Sequence, residues 1–175
     1  MCESKVVAWR NRQEWLNVHD LIYYKSDLET ALDILNVWRI RVDKIAWAVP
    51  CTANILSAKI LKTKISDLPE IHNMKCLTVA YQNTLASSLT NFIGLAIERE
   101  YKRGQGASMA FLGKDIGLPE EIIELRHTCG HRELPSTEVL EEACDFCFSW
   151  LREKYWEPQA EQYNEVSLSF YLWKL

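Results

Sequence analysis

Arg126, His127, Thr128, Cys129, Gly130 and His131 place one guanidinium and two imidazoles in a short run just ahead of Leu134, Pro135 and Ser136. An imidazole moves protons in either direction near neutral pH, and a guanidinium grips phosphate oxygens in a fixed fork. Those are the groups that metal-free cleavage of RNA requires. In a helix, His127 and His131 fall roughly 40° apart around the axis, on one face, with Arg126 on the neighbouring face. Taken alone, the same residues equally suit a solvated surface. Arg126 has Glu121, Glu124 and Glu133 near it in sequence, and a short motif carries a large false-positive risk.

The residues around the run must position it. Ser108 begins a short helix that stops at Gly117, a C-cap glycine, and Pro119 with Glu120 and Glu121 then opens the helix that delivers Arg126. Gly130 is expected to weaken or bend that helix and let His131 leave the regular track. Leu134, Pro135 and Ser136 make a turn. The last long helix is predicted from about Thr137 to Trp156, with Leu140, Ala143, Cys144, Cys147, Leu151 and Tyr155 along its apolar face.

Upstream, Trp15, Val18, Leu21 and Ile22 mark a helix starting near Gln13, and Ser26 with Glu29 reads as a capping box for a helix from about Asp27 to Val42. Pro50 precedes a third helix entering near Thr52, and Ser66, Asp67, Pro69 and Asn73 then break the periodicity. Leu77, Tyr81, Leu85, Leu89, Phe92, Ile93 and Ala96 form a stripe that reads as core, along a helix ending before Gly104 and Gly106. The expected fold is therefore an all-α bundle of about six helices. Beyond Pro158, Gln159, Glu161, Gln162 and Asn164 look linker-like. Val166, Leu168, Phe170 and Leu172 then alternate with Ser167, Ser169 and Tyr171, the pattern of a strand, and are expected to form a docking element outside the helical core.

A chain of 175 residues, 48% hydrophobic and 25% charged, fits one globular domain with a substantial core. The start of the chain carries Glu3, Lys5, Arg10 and Arg12 with no long apolar run. It reads as neither a signal peptide nor a membrane span, so the expectation is a soluble intracellular protein. The six cysteines are accordingly expected as free thiols. A net charge of −4 lacks the basic field of a general nucleic-acid binder, so RNA contact has to be local or helped by a partner. Arg10 with Arg12, Lys59 with Lys62 and Lys64, and Arg99 with Lys102 and Arg103 read as solvated helix faces.

Arg126 and His131, with four residues between them, resemble the signature of the HEPN superfamily of helical ribonucleases. The context is similar to one branch, the Las-one family of pre-ribosomal-RNA endonucleases, in which arginine and histidine are adjacent and leucine, proline and serine follow. Ser108 and Met109, Ile116 through Pro119, Leu125 through His127, His131, Leu134 through Ser136, and Tyr155 with Trp156 carry that resemblance. So do Trp9, Glu14, Trp15, Ala31, Trp38, Arg41, Val49, Thr52 and Leu56. It covers roughly residues 9 to 157. Asn91 departs from it, standing where a basic residue is expected.

The resemblance implies a HEPN-type nuclease domain at residues 1–157, followed by a linker and short apolar segment at 158–175. It implies a two-fold homodimer that brings two motifs into one cleft, and Arg126, His127 and His131 as catalytic residues needing no metal or cofactor. It further implies cleavage of the internal transcribed spacer of precursor ribosomal RNA during large-subunit biogenesis in the nucleolus, leaving a 2′,3′-cyclic phosphate and a 5′-hydroxyl. The family normally continues into a C-terminal region whose tail docks a polynucleotide kinase, whereas this chain stops at Leu175, so that docking region is expected to be absent here.

Two other readings use the same residues. His127, Cys129 and His131 with Cys144 and Cys147 offer zinc-ligand types, although the last two fall at core spacing in a helical stretch rather than on a turn. A HEPN domain could also serve as a catalytically silent dimerisation or nucleotide-binding scaffold.

Overall fold

The computed structural model describes residues 8–68, 74–101, 108–131 and 133–172. Helix α1 spans Arg12–Tyr23, α2 Leu28–Arg41, α3 Ala48–Ser66, α4 Met74–Tyr101, α5 Met109–Asp115, α6 Glu120–His131 and α7 Thr137–Leu151. A π turn, Arg152–Trp156, joins α7 to α8, Glu157–Leu172. The described residues contain no strand, in keeping with the all-α bundle that the periodicity implies. None of their helices is long and apolar enough to cross a membrane. Pro69, Asn73, Gly104 and Gly106, expected in loops, lie outside the described residues.

Residues through Ala53 and from Ser149 onward form one compact unit. Asn11 starts it by capping α1, its side chain accepting from the Glu14 N–H at 2.9 Å. Trp15, Val18 and Ile22 of α1 and Ala31, Leu35 and Trp38 of α2 are buried at helical spacing. Glu14 ties the two helices together, its Oε1 accepting from Trp38 Nε1 at 3.3 Å and from Arg41 Nη1 at 3.1 Å. Burial works against that carboxylate, but hydrogen bonds from the Arg10 N–H, Trp38 and Arg41 outweigh it and hold its pKa below the ordinary value. Trp9 packs on Trp38 at 5.4 Å between ring centroids. Several residues that carry the family resemblance are thus structural.

Two local readings need correction. The N-cap of α2 is Asp27, whose carboxylate accepts from the Thr30 N–H at 3.2 Å, and not Ser26. Ser26 takes φ +56°, a left-handed conformation incompatible with the extended backbone usual for a cap. The expected strand at Val166–Leu172 is instead the end of α8, and the linker-like residues 159–164 are helical too. Packing of the first turns explains this. Ala160 is buried, Tyr163 meets Trp15 edge-on at 5.1 Å, and Arg12 Nη1 donates to the Tyr163 carbonyl at 2.6 Å. A nucleus held in this way propagates at one hydrogen bond per residue, whereas a lone strand has no partner. Pro158 does not break the run because the π turn precedes it. There the Glu157 N–H reaches back to the Arg152 carbonyl, and Arg152 Nε donates to Glu157 Oε1 at 2.8 Å. With α8 included, the described residues hold eight α-helices, consistent with the expected helical bundle.

Asn54–Phe148 forms the second unit. Its spine is α4, whose Leu85, Leu89, Phe92, Ile93 and Ala96 are buried as the stripe predicts. α5 and α6 both pack on it. The α5–α6 turn is a Schellman motif: the Leu118 N–H donates to the Gly113 carbonyl at 2.8 Å and the Gly117 N–H to the Lys114 carbonyl at 3.0 Å, with Gly117 at φ +79°. Ser108 caps α5, accepting from the Phe111 N–H at 3.2 Å.

Gly113 of α5 lies against the Ile123 side chain of α6. A Cβ there would lie 2.3 Å from Ile123 Cδ1 and 3.0 Å from Ile123 Cγ1. Gly113→Ala should therefore destabilise the protein by roughly 1–3 kcal/mol, the usual scale of overpacking, despite alanine's better helix propensity. Denaturant unfolding checks this, and an unchanged or raised midpoint would show that Ile123 moves aside freely.

Candidate active site

α6 is held by Leu118 and Ile122, both buried, and its first turn carries Glu120 and Glu121 beside the positive end of the helix. The helix continues through Gly130 to His131, so the expected departure of His131 from the helical track does not occur. A Cβ on Gly130 would meet nothing within 4 Å. His127 and the backbone of His131 therefore sit one turn apart on α6, while the side chain of His131 lies outside the described residues.

Arg126 is half-buried and His127 exposed. Both line an open cavity of about 440 Å³, walled by Glu120, Ile123, Glu124 and Gly130 of α6, Thr90 of α4 and Ala110 of α5. Arg126 crosses α4 at Gly94, its Nε about 4.0 Å from where a Cβ on that residue would sit. A glycine inside a helix costs up to about 1 kcal/mol relative to alanine, and here it leaves room beside the guanidinium. Thr90 belongs to the cavity but was not apparent from sequence. No local signal marks Thr90, because only the packing of α6 on α4 places it beside Arg126.

The turn after α6 is structural. Gln82 Nε2 of α4 donates to the Pro135 carbonyl at 2.6 Å. Ser136 Oγ accepts from the Val139 N–H at 3.5 Å, and hydrogen bonds from its own amide and from Ser136 lower the pKa of the Glu138 carboxyl. The leucine–proline–serine part of the motif thus fixes the exit of the chain from α6. The lysines read as a solvated face are ion-paired to α7, Lys59 with Asp145 and Lys62 with Glu141, the latter at 2.7 Å.

Among the described residues, no three His, Cys, Asp or Glu side chains cluster as a metal site. Cys144 and Cys147, candidates for zinc, are buried on α7, and Cys144 Sγ points to the Leu85 carbonyl at 3.6 Å. Burial pushes the Cys144 thiol up to about 12.

The sequence pattern of the Las1-like family matches residues 7–158. The "Pre-rRNA-processing protein las1" of Schizosaccharomyces pombe is 28% identical over 176 aligned residues, covering 96% of this chain and 34% of that protein. The "Ribosomal biogenesis protein LAS1L" of Mus musculus is 28% identical over 159 residues, covering 89% of this chain and 19% of that protein. This chain thus spans about a third of the first relative's length and about a fifth of the second's. With the family pattern running through both compact units, the chain belongs to the Las1-like family.

Proposed function

We propose that this chain carries a HEPN-type, metal-independent endoribonuclease domain that acts on the internal transcribed spacer of precursor ribosomal RNA during large-subunit biogenesis. The observation that carries the reading is the joint placement of Arg126 and His127 on one open cavity, with the backbone of His131 one turn further along α6. The names of the two relatives, a pre-rRNA-processing protein and a ribosomal biogenesis protein, support the substrate class.

In this reading a ribose 2′-hydroxyl attacks its own phosphorus. One imidazole takes the hydroxyl proton, and the other returns a proton to the departing 5′-oxygen. Arg126 offsets the charge gathering on the phosphorane. The products are a 2′,3′-cyclic phosphate and a 5′-hydroxyl. The latter is the acceptor that a polynucleotide kinase partner would phosphorylate. A two-fold homodimer would place two copies of the motif in one cleft and concentrate positive charge locally on a chain that is acidic in sum. Such a protein would work in the nucleus, at the nucleolus.

The test is incubation of spacer-containing precursor RNA with the protein in EDTA, followed by end-group analysis. Cyclic phosphate and 5′-hydroxyl ends support the reading. A catalytically silent scaffold would leave the RNA whole. Ultracentrifugation at micromolar concentration checks the dimer, which a monomer would contradict.

Arg126→Lys should leave cleavage well below wild type, on the order of 10-fold or more, because lysine keeps the charge but lacks the planar fork. Initial rates at saturating RNA check this, and full activity would reduce Arg126 to a point charge.

A further inference from the structure

Arg126 faces a second cavity besides the one it shares with His127. That cavity, of about 550 Å³, runs along one face of α4 and is lined by Thr90, Asn91, Gly94, Leu95, Ile97 and Glu98. Thr90 and Arg126 line both cavities, so both cavities are within reach of the guanidinium. The volume lies within the range of about 300–1,000 Å³ typical of small-molecule sites. Its lining joins apolar side chains to an amide and a carboxylate.

Resting on the nuclease reading, we infer that this α4 cavity is a nucleobase subsite. It takes the base of a single-stranded nucleotide next to the phosphate held by Arg126, with Leu95 and Ile97 as the apolar floor and Asn91 and Glu98 as the readers of the base edge. Three features support this. Bases flanking a cleaved bond in single-stranded RNA are unstacked and need an apolar surface to leave water. Asn91 offers both a donor and an acceptor, whereas Glu98 when ionised only accepts, so the pair suits a base that presents an amino group beside a ring acceptor. Gly94 presents no side chain to the neighbouring Arg126 guanidinium. Asn91, where the family resemblance anticipates a basic residue, thereby gains a role in base choice rather than in backbone attraction.

Asn91 and Glu98 are both exposed, so Asn91→Ala and Glu98→Ala should leave the fold intact. The 175-residue chain would be titrated with adenosine, cytidine, guanosine and uridine 3′-monophosphates, with binding followed by NMR. Short single-stranded RNAs differing only in the base beside the cleaved bond would be compared as substrates. Wild type should prefer the amino-bearing bases over uridine by about 10-fold or more, the scale of one well-made base-edge contact. The double variant should lose that preference through a raised KM, with kcat retained. Unchanged preference in the double variant, or no base-dependent binding by wild type, overturns the subsite even if RNA is cleaved. Base-dependent binding that the variants abolish, in a protein that cleaves nothing, upholds the subsite while overturning the nuclease reading.

Discussion

His127→Ala should lower cleavage of spacer RNA by about 10²-fold or more, the scale of losing a general acid or base, with activity before and after insensitive to EDTA. The expectation rests on placement. His127 is exposed on the cavity that it shares with Arg126, so its removal opens no void in the core and the variant should unfold at the wild-type denaturant concentration. His131→Ala should have a similar effect. The double variant should be scarcely worse than either single one, because groups that act as a unit are strongly non-additive. Single-turnover cleavage with matched unfolding curves checks all three. Undiminished cleavage by both single variants would remove the histidines from the chemistry.

The largest loss of stability is expected at Trp156. Its side chain is fully buried, its ring lies 4.9 Å from that of Trp15, and its Nε1 donates at 2.9 Å to Thr52 Oγ1, which itself donates to the Ala48 carbonyl at 2.8 Å. Trp156→Ala removes both the packing and the hydrogen bond, and truncations of this kind cost about 3–5 kcal/mol. Against a typical total of about 5–15 kcal/mol, that leaves a protein close to unfolding. Thr52→Val separates the two contributions. It keeps the shape but leaves the indole N–H buried without its acceptor, at a cost of about 1–3 kcal/mol. Equilibrium denaturation of the three proteins gives the comparison, and a loss under about 1 kcal/mol for Trp156→Ala would mean that the indole is not the centre of this unit's packing.

Thr52 and Trp156 also show how far the sequence could be read. Both carry the family resemblance, yet nothing local says that they bond to each other across more than a hundred residues of chain. Periodic and capping signals were legible because they are local. The α4 stripe, the start of α6 after Pro119 and the left-handed Gly117 depend on the backbone preferences of a few neighbouring residues. The Arg126–His131 run was legible because its residue types carry the chemistry themselves. Where two local signals competed, the folded backbone and its tertiary contacts decided. Asp27 took the cap from Ser26 because the chain leaves α1 through a left-handed residue. Val166–Leu172 became helix, despite strand-like alternation, because the turns before it are anchored on Trp15 and Arg12. The surroundings of Arg126 were beyond the sequence for the same reason. Thr90, Gly94 and Ala110 belong to other helices, and only the packing of α4 and α5 against α6 brings them to the guanidinium.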